Sequence, residues 1–173
     1  MLYKFGDLLE AEDIDAAVHC VNLYHTFGSG IALAIGRKYP EVYEADKLTP
    51  YDDETKLGYF SKAAIDGGKW IYNLYAMWGL GNNGHPLGRN LSYDHFYNGV
   101  YRICEDAEDT LLLHDTIKIG LAYGTGCVRA GGSWHVVESI LWDIEAQFPH
   151  IEFVIYELEE AETVAQSTVP WEL

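Results

Sequence analysis

Twice in this chain a short apolar run ends in a glycine-rich turn that opens a helix-spaced segment, and this repetition restricts the fold more than any other feature. The first unit is AAVHCV, residues 16–21, followed by FGSGIALAI at 27–35; the second is TIKIGLA, residues 116–122, followed by GTGCVRAGG at 124–132. A short apolar run without polar alternation fits a strand covered on both faces. Behind the first turn, Ile31, Ala34, Ile35 and Lys38 follow helical spacing. Strand–turn–helix units of this kind assemble into layered α/β domains with a parallel or mixed sheet. Ligands of such sheets sit beyond the carboxyl ends of the strands, where both glycine turns fall.

The remaining pattern is compatible with that frame. Residues 3–5 form a short strand, with Gly6-Asp7 turning out of it. Pro40 stops the first helix or opens a second one over EVYEADKL. Residues 57–65 and 70–76 read as two strands joined by Asp66-Gly67-Gly68, which suits a hairpin. The stretch 79–90, GLGNNGHPLGRN, is too rich in glycine and asparagine for regular structure. Ser92 is a candidate N-cap for a helix to about Asp109, with Tyr93, Phe96, Val100 and Ile103 on one face. Ser133 is the candidate cap of a further helix whose buried face is expected to carry Val136, Ile140, Ile144 and Phe148. A last strand covers 151–158. The domain is expected to occupy residues 1–160, with residues 161–173 as an acidic tail.

Composition narrows the chemistry. About half of the 173 residues (49%) are hydrophobic, enough for one sizeable core. The 11 basic and 27 acidic side chains leave a net charge of −16, which repels nucleic-acid backbones and anionic membranes. An anionic small molecule must therefore be held largely by backbone N–H groups. Cys20, Cys104 and Cys127 lie far apart, without CxxC spacing, and no basic segment leads into an apolar one at the start of the sequence. Reduced thiols and a cytoplasmic location are the expectation. No apolar run approaches the roughly 20 residues that span a bilayer.

Two turns that each present glycines and an unpaired helix N-terminus suit phosphate. An ordinary strand–helix turn explains one of them as well; two in matching positions point to a clamp around a diphosphate. The first turn lacks the Gly-Lys-Ser/Thr of a nucleotide-triphosphate loop and the full GxGxxG of a dinucleotide fingerprint. Ahead of it stand His19, Asn22 and His25. A strand histidine is commonly a satisfied core residue, whereas His25, nearer the turn, is placed to meet a phosphate as a proton donor. Cys127 lies where helix N–H groups lower a thiol pKa, but only one residue separates it from Arg129, so it belongs to no CxxxxxR phosphatase loop. No HExxH, HxH or carboxylate cluster has metal-ligand spacing, and neither metal nor cofactor is expected.

In order and spacing, FGDLL (5–9), AAVHCVN (16–22), FGSGIALAI (27–35), KYP (38–40), WIYNL (70–74) and GTGCVRAGGSW (124–134) resemble the macro domain family, nearest its ADP-ribose-1″-phosphate phosphatase branch. The resemblance implies a three-layer α/β/α sandwich with a mixed central sheet, binding ADP-ribose or ADP-ribose-1″-phosphate and releasing phosphate from the latter. It assigns Asp7, with Leu8, to the adenine and Asn22 to the distal ribose. Gly28, Ser29, Gly30 and Ile31 are assigned to the first phosphate-side loop, and Thr125, Gly126, Cys127 and Val128 to the second. Tyr156 approaches the adenine, and His19 matches a histidine that assists ester cleavage; His25 has only its position near the turn to recommend it, so which of the two acts stays open. The ADP-ribosyl hydrolase branch needs a lysine after the fourth strand and an aspartate in the second loop; here Ala76-Met77 and Ala130 stand there. A module that only binds ADP-ribose, and an ADP-ribosyl hydrolase, are the alternatives. The resemblance leaves the oligomeric state open.

Overall fold

The computed structural model describes residues 1–79, 88–111 and 115–159. Among the described residues, six strands form one sheet in the order β1-β6-β5-β2-β4-β3. They are β1 (Leu2–Phe5), β2 (Ala16–Val21), β3 (Phe60–Ile65), β4 (Lys69–Tyr75), β5 (Ile117–Ala122) and β6 (Ile151–Glu157). Neighbouring strands run parallel except β3, which pairs antiparallel with β4 across the Asp66-Gly67-Gly68 turn. The sheet is therefore mixed, and its antiparallel member is confined to one edge.

Helices cover both faces, completing a three-layer α/β/α sandwich. α1 (Gly30–Lys38) and α2 (Pro40–Lys47) close over Ala17, Val21, Ile71 and Tyr75 through Ile35 and Val42. α3 (Tyr93–Leu111) and α4 (Trp134–Gln147) cover Val18, Leu74, Ile119 and Phe153 through Phe96, Val100, Ile103, Leu141 and Ile144. All six residues of β2 are buried, His19 among them. Pro40 opens α2 at its first position, where a missing N–H costs nothing. Ser92 accepts the His95 N–H at 3.3 Å and caps α3. The acidic tail from 161 onward, and most of the glycine- and asparagine-rich stretch at 80–87, lie outside the described residues.

Three expectations need correction. The strand expected from residue 57 starts at Phe60, because Asp53 accepts the Thr55 N–H at 2.8 Å and winds Glu54–Lys56 into a short 3₁₀ turn. Ser133 does precede α4, yet its hydroxyl makes no capping bond; its N–H instead donates to the Tyr93 hydroxyl at 2.7 Å. The buried face of α4 carries Val137, Leu141 and Ile144, with Phe148 beyond the helix end, while Val136 is exposed and Ile140 half-buried. The expected and observed faces share Ile144 and Phe148 and part at the first two turns, where the packing of α4 on the sheet buries Val137 and Leu141 in place of Val136 and Ile140.

Gly120 on β5 sits beneath the segment that leads away from β1. A Cβ there would lie 2.6 Å from Leu8 Cδ1 and 2.8 Å from Ile14 Cδ1. Gly120→Ala is expected to destabilise the fold by about 1–3 kcal/mol through overpacking. Leu8→Ala alone leaves a cavity costing about 2–5 kcal/mol, and the two changes together should cost less than their sum, all read from urea unfolding.

Candidate functional site

The connection after β2 turns to the α1/α2 face, whereas the connection after β5 turns to the α3/α4 face. β2 and β5 are neighbours, so a crevice opens between their carboxyl ends, at the topological switch point of the sheet. Loop 1, residues 22–29, and loop 2, residues 123–133, form its two sides. Asp7 lies at the same end of the sheet, past β1, because β1, β6, β5 and β2 are mutually parallel. From β1 to β2 are three strand spacings, roughly 14 Å across the sheet end.

Loop 1 leads directly into α1. Ser29 occupies the cap position but its side chain makes no capping bond, which leaves the first-turn N–H groups of α1 without a hydroxyl partner from that residue. Asn22 shapes the loop with both ends of its amide: Oδ1 accepts the Tyr24 N–H at 2.8 Å, and Nδ2 donates to the Thr26 carbonyl at 3.3 Å. Loop 2 is closed by its own backbone, with Cys127 N–H on Gly124 O at 2.9 Å and Gly132 N–H on Gly126 O at 3.2 Å. It rests on Leu91 so closely that a Cβ on Gly126 would lie 2.8 Å from Leu91 Cδ1. Gly126 also has φ of +71°, which L side chains rarely adopt. Within loop 2, Thr125 is buried and Val128 is exposed at the tip.

The other residues singled out from the sequence are distributed as follows. Asp7 accepts the Leu9 N–H at 2.8 Å through Oδ1, and Leu8 is buried against the sheet. Tyr156 lies on β6 with its hydroxyl donated to Asp13. Gly28, Ser29, Gly30 and Ile31 run from loop 1 into the first turn of α1. Cys127 does not have the lowered pKa expected from a nearby helix terminus. Burial pushes it up to about 11, and burial lifts Cys20 to about 12, so both thiols stay protonated near neutrality. At the places that the resemblance matches to the hydrolase branch's lysine and aspartate, Ala76 and Ala130 are buried and Met77 is half-buried.

The two histidines have opposite surroundings. His19 is sealed from solvent, its ring edge-on to Phe27 at 5.2 Å. Its Nε2 lies 2.6 Å from Asn73 Oδ1. Asn73 spends its amide N–H groups on Val42 O (2.9 Å) and Ser61 Oγ (3.0 Å), so the oxygen must face His19 and Nε2 must carry the hydrogen. Nδ1 is then a buried acceptor with no partner among the described residues. Burial lowers the His19 pKa to about 4, against the opposing pull of the Asn73 bond and the Asp46 charge.

His25 instead stands at the rim, its side chain 13% exposed. Together with Thr26, Phe27, Gly28, Arg37 and Tyr43 it lines an open groove of about 400 Å³ beside loop 1. Its backbone has φ of +51°, a left-handed conformation that costs a non-glycine residue roughly 1–2 kcal/mol. Two bonds offset that cost: the Tyr43 hydroxyl donates to His25 O at 2.9 Å, and His25 Nδ1 lies 3.1 Å from Asp46 Oδ2. Sequence reading missed Asp46, Tyr75, Asn73 and Ser61, which surround these histidines. One signal was present: Asp46 falls one helical turn after Val42, a carboxylate on the apolar face of α2.

No protein-family model matches the chain. It is 32% identical over 149 residues to the uncharacterized 17.5 kDa protein of the tk-vs intergenic region of Enterobacteria phage T4, covering 82% of this chain and 88% of that one. A second match, 37% identical over 75 residues, is to the DNA ADP-ribosyl glycohydrolase of Mycobacterium tuberculosis; it covers 42% of this chain and only 21% of that protein. Among solved structures, the macrodomain of Mycobacterium tuberculosis DarG superposes with a TM-score of 0.69 at 24% identity, covering 90% of this chain and 95% of that one. Thermosipho africanus DarTG in complex with ADP-ribose gives 0.65 at 16% identity, covering 92% of this chain and 42% of that one. The fold is that of a macrodomain. Within it, the chain belongs to the same family as the phage T4 protein.

The buried state of His19 has a consequence for stability. The unfolded chain takes up this proton near pH 6.5, but the native ring does not until about pH 4. Stability from this residue is therefore complete above 6.5, is lost as pH falls toward 4, and changes no further below that. Between pH 7 and pH 4 the loss amounts to roughly 3 kcal/mol. Urea unfolding across this range should show a shallower pH dependence for His19→Gln than for the unmodified chain, by about that amount.

Proposed function

We propose that this chain binds ADP-ribose along the crevice and hydrolyses a substituent on its distal ribose. The observation that carries this reading is the pair of glycine turns at the ends of adjacent parallel strands, β2 and β5, with helices leaving toward opposite faces. Asp7 takes the adenine amino group at one end, helped by Leu8 and Tyr156. The N–H groups of Gly28, Ser29, Gly30 and Ile31 on one side, and of Gly126 and Val128 on the other, hold the diphosphate, while those of Thr125 and Cys127 close loop 2 on Ala122 O and Gly124 O. A chain of charge −16 needs such neutral donors for an anionic ligand. Asn22 gives loop 1 the shape that receives the distal ribose.

The preferred substrate is ADP-ribose-1″-phosphate, giving ADP-ribose and inorganic phosphate. The acidic charge supports a small-molecule ester over a nucleic acid, and the buried Ala76 and Ala130 remove the lysine and aspartate of the ADP-ribosyl hydrolase branch. His25, at the rim, moves the proton between water and the leaving oxygen, while His19 supports the sheet behind it. A second reading is removal of ADP-ribose from a modified macromolecule, favoured by the similarity to the DNA ADP-ribosyl glycohydrolase. The domain extends over residues 1–160.

Calorimetry with ADP-ribose, phosphate release from ADP-ribose-1″-phosphate and ADP-ribose release from modified DNA or protein separate these readings. Absence of ADP-ribose binding overturns the reading altogether, and binding without turnover leaves a sequestering module. His25→Ala is expected to lower turnover by roughly 10²–10⁴-fold while changing ADP-ribose affinity only a few-fold.

A further inference from the structure

The two histidines that flank the start of loop 1 are joined beneath the surface by a line of hydrogen bonds. His25 Nδ1 lies 3.1 Å from Asp46 Oδ2, and the Tyr75 hydroxyl lies 2.7 Å from Asp46 Oδ1. Tyr75 meets Ser61 Oγ at 2.9 Å, Ser61 meets Asn73 Nδ2 at 3.0 Å, and Asn73 Oδ1 meets His19 Nε2 at 2.6 Å. The line follows strand register, since His19, Asn73 and Ser61 are direct neighbours across β2, β4 and β3.

Donor and acceptor chemistry gives this line a direction. An ionised carboxylate only accepts, so the Tyr75 hydroxyl donates to Asp46. The Tyr75 oxygen then receives the Ser61 hydroxyl, and the Ser61 oxygen receives an N–H of Asn73. The same carboxylate requires that His25 carry its hydrogen on Nδ1. Asp46 is fully buried, and its charge is opposed by the Lys56 ammonium, itself only 7% exposed, held 3.1 Å from Thr49 Oγ1 and 4.5 Å from the Tyr75 ring centre. A buried carboxylate with two donors and a nearby cation is a rigid fixture, whereas the residue it holds stands at the rim.

We infer that Asp46 is a positioning residue of the site: it fixes His25 as the Nδ1–H tautomer and turns the lone pair of Nε2 outward for proton transfer. The inference rests on the reading of His25 as the proton-transfer group. Asp46 touches no substrate and acts through His25 alone. Tyr75, Ser61 and Asn73 complete the fixture from the sheet, and the Tyr43 hydroxyl holds the His25 backbone from α2.

The tautomer can be read without substrate, from long-range ¹H–¹⁵N spectra of the ¹⁵N-labelled chain, with His25 assigned by the signals missing in His25→Ala. In the unmodified chain the neutral ring should be the Nδ1–H form. Asp46→Leu, which removes the acceptor, should shift it to the commoner Nε2–H form and lower kcat at least tenfold with KM within about threefold. Asp46→Asn, which keeps one acceptor, should recover part of kcat. In a His25→Ala background Asp46→Leu should lower kcat no further. An Nε2–H ring in the unmodified chain overturns the inference, and so does an equal loss of kcat from Asp46→Leu with and without His25. Should Asp46→Leu fail to fold, the tautomer of the unmodified chain decides by itself. Failure to bind ADP-ribose, seen by calorimetry, would instead remove the functional reading and with it any catalytic role for Asp46.

Discussion

β2 is the constraint on which the rest of this molecule depends. It is paired on both edges, with β5 on one side and β4 on the other, and every one of its six side chains is buried. A strand in that position cannot slip by one residue without exchanging the contents of its two faces. Its register therefore fixes where loop 1 begins, and its pairing with β5 fixes where loop 2 stands opposite. The crevice follows from the helices leaving these two strands toward opposite faces of the sheet, before any ligand chemistry is considered.

A strand buried on both sides also dictates what happens to its one polar side chain. His19 would be costly to enclose without partners, since an unsatisfied buried polar group costs about 1–3 kcal/mol. One ring nitrogen is satisfied by Asn73, which is in turn satisfied by Ser61 and the Val42 carbonyl; the other has no partner among the described residues. Polar residues thus recur along one row of the sheet and turn up into α2 at Asp46. Beneath loop 1 this polar row runs beside an apolar cluster that includes Leu23, Phe27, Ile35 and Val42. Loop 1 consequently rests on hydrogen bonds with defined donors, and loop 2 on close packing against Leu91.

The strands and helices were largely legible because their signals are local. The apolar run of β2 matches its observed limits, and α1 ends at the Lys38-Tyr39-Pro40 boundary that proline chemistry marks. The rotation of the first two turns of α4 was not legible, because Val136 and Ile140 and their neighbours Val137 and Leu141 both suit the helical period that leads to Ile144. The start of β3 was not legible either, because a single aspartate side chain diverts the three residues after it into a 3₁₀ turn. The thiol of Cys127 was misjudged for a related reason: a nearby helix end favours a thiolate, but burial opposes it more strongly.

The sequence by itself determined the two glycine turns, their placement after strands, and a charge that leaves backbone N–H groups as the natural partners of an anion. These are properties of residue type and short spacing, which the chain carries whether folded or not. The tertiary structure alone decided that the two histidines differ, one closed inside the sheet and the other at the rim of loop 1. It also decided that Asp46, from a helix twenty-one residues further on, meets His25 while Tyr75 meets it from β4. Those contacts arise from sheet register and from the packing of α2 on the sheet, and neither is expressed in the spacing of residues along the chain.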